Sequence, residues 1–189
     1  MQRIKLVGLA LVAVCAIGVT SVASAGASNF LASATGALTG KALQNQKFVT
    51  KAGEVVCTTI AVSGTVKTTK ATTQVATVNY TGCKAFGLAA TITPAEYEFN
   101  ANGSVKILNN IIITATACEV KVLAANNTSL NTVKYVNNGG GQLGINPAVK
   151  GITSEGVGAG CTYALESKGT YEGNSDSGLK AGGTLSWDA

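Results

Sequence analysis

Two cysteines, Cys57 and Cys83, bracket a pair of apolar, threonine-rich segments, and this arrangement constrains the fold more than any other feature. The segments 54–64 and 74–80 contain many β-branched residues, which suit a pleated, half-buried surface. The polar stretch 65–73 between them lacks apolar periodicity and predicts a turn. Folding the chain there brings the two cysteines opposite each other, so we expect a disulfide between facing strands.

The N-terminal residues Met1–Ala25 have the layout of a secretory signal peptide. Two basic residues precede the apolar run Leu6–Thr20, and Ala23-Ser24-Ala25 supplies small residues for cleavage. An uncleaved membrane anchor is the alternative, but the apolar run is short for a membrane crossing. Cleavage before Gly26 leaves 164 residues, which suit one domain that is secreted or associated with the cell envelope, without a membrane span.

Four cysteines remain after this cleavage: Cys57, Cys83, Cys118 and Cys161. In an exported protein an even number indicates disulfides, and four cysteines leave three connectivities open. We expect Cys57 to pair with Cys83 and Cys118 with Cys161, each stabilising the fold by roughly 3–4 kcal/mol. A zinc site needs Cys-x-x-Cys spacing or histidines, and the sequence has neither. We therefore expect no metal and no other cofactor.

Missing residue types exclude several functions. The sequence contains no histidine, so a Ser-His-Asp or Cys-His mechanism is impossible within this chain. Its arginine, Arg3, lies in the expected signal peptide, which removes the side chain that binds phosphate and guanine bidentately. The remaining 12 lysines and 9 acids give a net charge of +3 and are spread singly. We expect neither nucleic-acid binding nor catalysis.

Short strand-like segments dominate the rest of the chain. Residues 26–45 are too irregular for a confident helix, and we predict a loose leader there, with a short edge element as the alternative. A single all-β domain over 46–189 follows, beginning with a strand at 46–50. Tyr97 and Phe99 alternate with glutamates before an Asn-Gly turn at Asn102, a strong hairpin pattern. Strands of this length predict an antiparallel β-sandwich, with a β-barrel as the alternative.

Several short motifs occur in a characteristic order along the chain. They are Val56-Cys57, Tyr80-Thr81-Gly82-Cys83-Lys84-Ala85-Phe86-Gly87, Ala101-Asn102-Gly103-Ser104-Val105, Cys118-Glu119-Val120, Val133-Lys134-Tyr135 and Gly169-Thr170-Tyr171-Glu172-Gly173. In this combination the chain resembles exported, β-rich, disulfide-containing proteins of soil actinobacteria, from about Phe48 to Gly173. Some of those proteins carry two further cysteines near the positions of Ala95 and Asn109. The resemblance implies export and a β-rich fold, and it supplies no activity.

Paired carboxylates are the one catalytic arrangement that this composition permits. The candidates are Glu96, Glu98, Glu155, Glu166 and Glu172. Acids at outward strand positions are more often solvated than catalytic. The segment Asn174–Gly178 carries oxygen ligands at alternate positions, as a calcium loop does, but it lacks the later glutamate and is better explained as a glycine-rich surface turn.

Three aromatic residues near the C-terminus, Tyr163, Tyr171 and Trp187, are the candidate ligand-binding residues. Exposed together, they would form a platform on which a glycan could stack; core packing is the alternative for each of them. Our preferred hypothesis is an exported structural or interaction protein with an unknown surface protein or glycan as its partner. The alternatives are a glycan- or small-ligand-binding module and a carboxylate-only hydrolase.

Overall fold

The computed structural model describes residues 27–189, so the expected signal peptide lies outside the described residues. The described chain forms antiparallel strands, with two short 3-10 turns at Ala124–Asn126 and Gly139–Gly141. The strands are β1 (Asn29–Ala32), β2 (Gly36–Ala42), β3 (Gln46–Thr50), β4 (Gly53–Val66), β5 (Lys70–Ala71), β6 (Thr73–Ala85), β7 (Leu88–Ala89), β8 (Thr91–Ile92), β9 (Ala95–Asn100), β10 (Val105–Ile107), β11 (Ile111–Ala115), β12 (Cys118–Val122), β13 (Val133–Asn138), β14 (Gln142–Val157), β15 (Tyr163–Glu172), β16 (Ser175–Leu179) and β17 (Leu185–Asp188). Within residues 27–189, no helix has the length and apolar character that a membrane crossing requires.

Seven strands (β2, β3, β4, β6 and β14–β16), here called the wall, form the centre of the fold. β6 pairs with β4, which pairs along its length with β3 and then with β2. β3 then pairs with β15, and β2 pairs with β16. Both β15 and β16 pair with β14. Short gaps separate β2 from β3 and β15 from β16. The side chain of Gln46 links these two gaps, because its Nε2 donates to the carbonyl oxygens of Gln44 and Asn174.

Shorter strands close the wall on itself. At one end β14 pairs with β12, then β11 and β8, and the Ala90 N–H completes the circuit by donating to the Cys83 carbonyl of β6. At the other end β6 pairs with β9, and β9 pairs with β10. Val105 of β10 bridges to Leu130, and β13 returns to β14. The expected all-β antiparallel fold with two disulfides is confirmed. A single closed sheet, the alternative to the expected sandwich, describes this arrangement better than two stacked sheets.

A separate three-stranded sheet, here called the cap, is made of β1, β5 and β17. It covers the end of the wall at which β2 begins and β4 and β16 end. Phe30 of the cap is 5% exposed and packs edge-on against Tyr135, with ring centroids 4.9 Å apart. Leu185 is also buried. The two ends of the described chain therefore pair with each other over the interior.

The loose leader or edge element expected over 26–45 is wrong, because this stretch contains β1 and β2, and each of them lies between two other strands. β2 lies between β4 and β16 and buries Leu38. Small residues suit β2 because its neighbours approach closely. A Cβ atom added at Gly40 would lie 2.5 Å from the carbonyl oxygen of Asp176. The expected surface turn at Asn174–Gly178 is also wrong, since β16 occupies 175–179 and buries Ser175 and Ser177.

Other local predictions are confirmed. β3 occupies 46–50 as expected, and β4 and β6 place Cys57 opposite Cys83. β9 and β10 flank the turn at Asn102, with Tyr97 buried and Glu96 exposed. β14 is one long strand over Gln142–Val157, and its register with β15 shifts between Lys150 and Ile152, between Ile152 and Ser154 and between Ser154 and Gly156.

Candidate functional site

Both expected disulfides are present. Cys57 and Cys83 face each other on β4 and β6 with Cα atoms 3.9 Å apart, and both are buried in the wall. Cys118 follows the turn between β11 and β12, and it joins Cys161 in the loop between β14 and β15, with Cα atoms 5.3 Å apart. This second disulfide ties two connections at the end opposite the cap, here called the disulfide end.

The structure does not bring Tyr163, Tyr171 and Trp187 together on an exposed face. Tyr163 is 9% exposed, and its hydroxyl lies 2.9 Å from the Ser154 hydroxyl near the disulfide end. Tyr171 packs against Phe48, with ring centroids 4.5 Å apart. Trp187 belongs to the cap. Core packing, the alternative, describes these residues better than a stacking platform.

Trp187 itself is held by hydrogen bonds and ring contacts. Its Nε1 donates to the Ala101 carbonyl at 2.8 Å, and its ring lies 6.0 Å from that of Tyr135. Its backbone N–H and carbonyl both pair with the side-chain amide of Asn137, at 2.7 and 2.8 Å. The role of Trp187 visible in the structure is to attach the cap to the wall.

The candidate carboxylates lie on the outer surface, several of them beside lysines. Lys47 contacts Glu54 at 2.7 Å and Glu172 at 3.8 Å. Glu166 contacts Lys168 at 3.1 Å and Lys51 at 3.6 Å. The hydrogen bond from Lys168 lowers the pKa of Glu166, and partial burial opposes this shift.

The remaining candidate acids lie on other strands: Glu96 and Glu98 on β9, and Glu155 on β14. Glu98 is opposite Lys106 in the strand register, and Glu155 is opposite Lys121. Exposed charges of this kind affect the local surface more than the overall stability. Their arrangement fits a solvated surface better than an acid–base pair.

A buried cluster of tyrosine hydroxyls lies inside the wall instead. The hydroxyls of Tyr80 and Tyr97 are 2.9 Å apart, and the Tyr171 hydroxyl donates to Gln46 Oε1 at 2.5 Å. Burial raises the pKa of Tyr80 and of Tyr97 well above the ordinary value, and it raises the pKa of Tyr171 to about 12. All three side chains are therefore neutral near pH 7 and act as hydroxyl donors and acceptors.

Next to this cluster the interior contains a cavity of about 50 Å³. Its lining is apolar apart from the tyrosines and Ser175, and consists of Phe48, Ile60, Val62, Val78, Tyr80, Tyr97, Phe99, Val105, Ile107, Ile111, Val122, Leu130, Val133, Ile145, Pro147, Val149, Ile152, Tyr171 and Ser175. A second cavity of about 20 Å³ lies under the cap, between Phe30, Leu185 and the wall. Val62, Phe99 and Ile145 line both cavities, so the two are neighbours.

The buried side chain of Ser177 places a hydroxyl group in the lining of the second cavity. Ser177 lines it and is 1% exposed, and its Oγ has no hydrogen-bond partner among residues 27–189. Sequence analysis missed Ser177 because it lies in a Ser- and Gly-rich segment that resembles a turn. Tyr97 could have been found, since its alternation with Glu96 and Glu98 predicts an inward side chain.

Comparisons of the chain with protein-family models, with curated proteins and with solved structures find no match. The case for function therefore depends on the geometry of the described residues.

Proposed function

We propose that this chain is an exported structural or interaction protein of the cell envelope or extracellular space, without a catalytic role. The observation that carries the proposal is the pair of disulfides within one closed sheet. Disulfides persist in oxidising compartments and are rare in the cytosol. One bond joins β4 to β6, and the other joins the first residue of β12 to the β14–β15 loop.

The outer surface of the wall supports the same proposal. Thr39, Ser63 and Thr77 lie side by side on β2, β4 and β6, and their side chains face outward. Such small, uncharged side chains suit a surface that makes many weak hydrogen bonds. Because the wall closes on itself, we expect association through side chains rather than by addition of a strand to an open edge.

The two alternatives have less support. Stacking of a glycan needs adjacent exposed aromatic rings, and Tyr163, Tyr171 and Trp187 lie at separate places. A carboxylate-only hydrolase needs two acids facing one cleft about 5–10 Å apart. The candidate acids instead lie on the outer surface, and Glu166 and Glu172 are engaged by lysines.

The proposal can be tested on the protein recovered from the culture medium and the cell envelope, by intact mass and non-reducing peptide mapping. We expect a chain that begins at Gly26 and is four hydrogens lighter than the reduced form. Peptides that contain Cys57 and Cys83 should be joined, as should those that contain Cys118 and Cys161. An intact signal segment or free thiols in the recovered protein would contradict export of a disulfide-bonded domain.

The interaction part needs a separate measurement. Wild-type protein and a Thr39→Lys/Ser63→Lys/Thr77→Lys variant are compared for retention by isolated cell envelopes. If the outer face makes the contacts, the added charges should reduce the retained fraction several-fold while the circular dichroism spectrum is unchanged. A variant with lysines at three other exposed positions, Thr128, Asn131 and Thr162, adds the same charge and serves as the matched control. Equal retention of all three proteins would count against this face.

A further inference from the structure

The β6–β7 turn at the disulfide end carries the most exposed large apolar side chain among residues 27–189. Phe86 is 69% exposed, and Leu88, two residues further on, is 55% exposed. Val157, at the end of β14, is 40% exposed. Large apolar side chains are more stable when they are removed from water, so a group of exposed ones at one end of the molecule is a candidate contact surface.

The backbone of this turn holds the phenylalanine in an unfavourable conformation. Ala85 pairs with Leu88, so Phe86 and Gly87 form a two-residue hairpin turn, with φ angles of 53° and 79°. Asparagine and glycine are preferred at such positions, and a bulky side chain with a positive φ is uncommon. The ring lies across Gly53 of the β3–β4 turn, where an added Cβ atom would collide with it. Local strain at a residue that stays mostly exposed indicates a functional position rather than a packing position.

Phe86 is continuous with the other loops of the disulfide end. It lines a small cleft together with Ala115 and Cys118, and those two residues line an open groove together with Val157 and Ala159. The β6–β7 turn, the β11–β12 turn and the β14–β15 loop contain no charged residue. The disulfide end therefore presents a continuous, uncharged surface from Phe86 to Ala159, here called the tip.

The size of the tip and a lysine beside it favour a lipid surface as the partner. Specific protein partners bury roughly 800 Å² on each side, and three protruding side chains supply less, since even a buried aromatic ring covers roughly 150–250 Å². Shallow insertion into a bilayer needs only a few apolar side chains. Lys84, two residues before Phe86, is exposed and makes no ion pair within residues 27–189, so its ammonium group is available to anionic headgroups.

We propose that the tip binds the surface of an anionic lipid bilayer. Phe86 and Leu88 insert next to the headgroups, and the Lys84 ammonium lies at the phosphates. The disulfide between Cys118 and Cys161 holds the neighbouring turn and loop together. This contact rests on the proposed location at the cell envelope, and it uses a different surface from the outer face of the wall.

The test measures cosedimentation of the oxidised protein with vesicles of phosphatidylglycerol and phosphatidylcholine in equal parts, and with vesicles of phosphatidylcholine alone. The protein is prepared to begin at Gly26, so the apolar run Leu6–Thr20 cannot insert, and failure of this test is distinguishable from failure of export. We expect saturable binding to the anionic vesicles. Lys84→Gln should weaken it about fivefold, the value expected for one lysine near such a surface. Lys134→Gln, at another exposed lysine, is the matched control and should bind as wild type.

Two further substitutions separate insertion from folding. Phe86→Asn removes the ring and suits the positive φ, so it should weaken vesicle binding about tenfold without lowering the free energy of unfolding. Leu88→Ala should weaken binding about fivefold, because less apolar surface enters the bilayer. Leu43→Ala is its matched control, since Leu43 has nearly the same exposure, 53%, on another part of the surface, and it should bind as wild type.

Three results would overturn the proposal. The first is the absence of binding to the anionic vesicles. The second is equal binding of wild type, Phe86→Asn and Leu88→Ala. The third is a concentration-dependent dimer in sedimentation velocity experiments that Phe86→Asn dissociates, because the tip would then bind a second copy of the chain.

Discussion

The two ends of the closed wall are secured in different ways. At the disulfide end, Cys118 and Cys161 join the β11–β12 turn to the β14–β15 loop by a covalent bond. At the cap end, the closure is a small sheet in which β1 and β17, from the two ends of the described chain, pair with each other, and β5 pairs with the other side of β1. Phe30, Tyr135 and Trp187 hold that sheet by ring packing.

This difference predicts where the molecule opens first. The disulfide constrains one end even in the unfolded state, whereas the cap depends on packing and hydrogen bonds that disappear together. Among these, the Asn137 side-chain amide pairs with the backbone of Trp187, and Ser33 Oγ accepts from the Thr184 N–H at 2.9 Å. We infer that the cap opens locally while the wall remains folded.

The largest expected effect is that of Phe30→Ala. Truncating this buried ring should destabilise the cap by about 4 kcal/mol, from lost burial and the resulting void. Trp187, the one tryptophan of the sequence, lies in the cap, so its fluorescence reports cap opening in denaturant. The far-ultraviolet circular dichroism of the wall should shift less.

Leu43→Ala is the control for Phe30→Ala, since Leu43 is 53% exposed. It should change stability by less than about 0.5 kcal/mol. Coincident fluorescence and circular dichroism transitions in Phe30→Ala, with equal shifts, would show that the cap and wall open as one unit.

The next largest effect is expected from Cys118→Ala/Cys161→Ala at the opposite end. Removing this bond between residues 43 positions apart should lower the free energy of unfolding by about 3 to 4 kcal/mol. The circular dichroism transition should shift at least as much as the Trp187 fluorescence transition, the reverse of Phe30→Ala. A larger shift of the fluorescence transition would mean that this disulfide secures the cap.

A smaller effect concerns the interior that both ends enclose. Burial raises the pKa of Tyr171 from 10.0 to about 12. Below pH 10 this side chain is neutral in both states; between pH 10 and 12 the unfolded state ionises first, so stability falls as pH rises. Between pH 10 and 12 the free energy of unfolding of Tyr171→Phe should fall by about 2 kcal/mol less than that of the wild type. Parallel pH profiles of the two proteins, measured by denaturant unfolding, would contradict burial of the phenol.

The smallest expected effect is that of Asn137→Ala. Its exposed side-chain amide makes two hydrogen bonds to Trp187, and their loss should cost about 1 kcal/mol, confined to the cap. Fluorescence-detected unfolding measures this change, and Asn131→Ala at another exposed asparagine is the control. No difference between the two variants would show that ring packing alone holds the cap.

Sequence reasoning succeeded where local patterns determine the structure. The cysteine spacing and β-branched residues were sufficient to place β4 and β6, and the alternation around Tyr97 was sufficient to place β9. The pairing of Cys118 with Cys161 was also predicted correctly. In each case the relevant signal lies within a few tens of residues.

The cap and the strands next to it could not be predicted in this way. β1 pairs with β17, and the partners Phe30 and Trp187 are far apart in the sequence, so no local signal joins them. β2 and β16 are built from small residues because their neighbours approach closely, as at Gly40, and this hides the usual strand pattern. Ser177, which lines the cavity under the cap, was missed for the same reason.

Asn109 shows a further contact that no local sequence pattern predicts. Its side chain accepts from the Glu96 N–H at 2.7 Å and donates to the Pro94 carbonyl at 2.9 Å, and so spans the buried Ala95.

Hydrogen–deuterium exchange of the oxidised protein tests the difference between the two ends most directly. We expect the backbone amides of β1 and β17 to exchange together, through an opening that costs less free energy than the opening of β4, β6 and β14. Amides next to Cys118 and Cys161 in the paired strands should stay protected during that opening. Equal protection of cap and wall, or opening of the disulfide end before the cap, would show that the cap is not the weaker end.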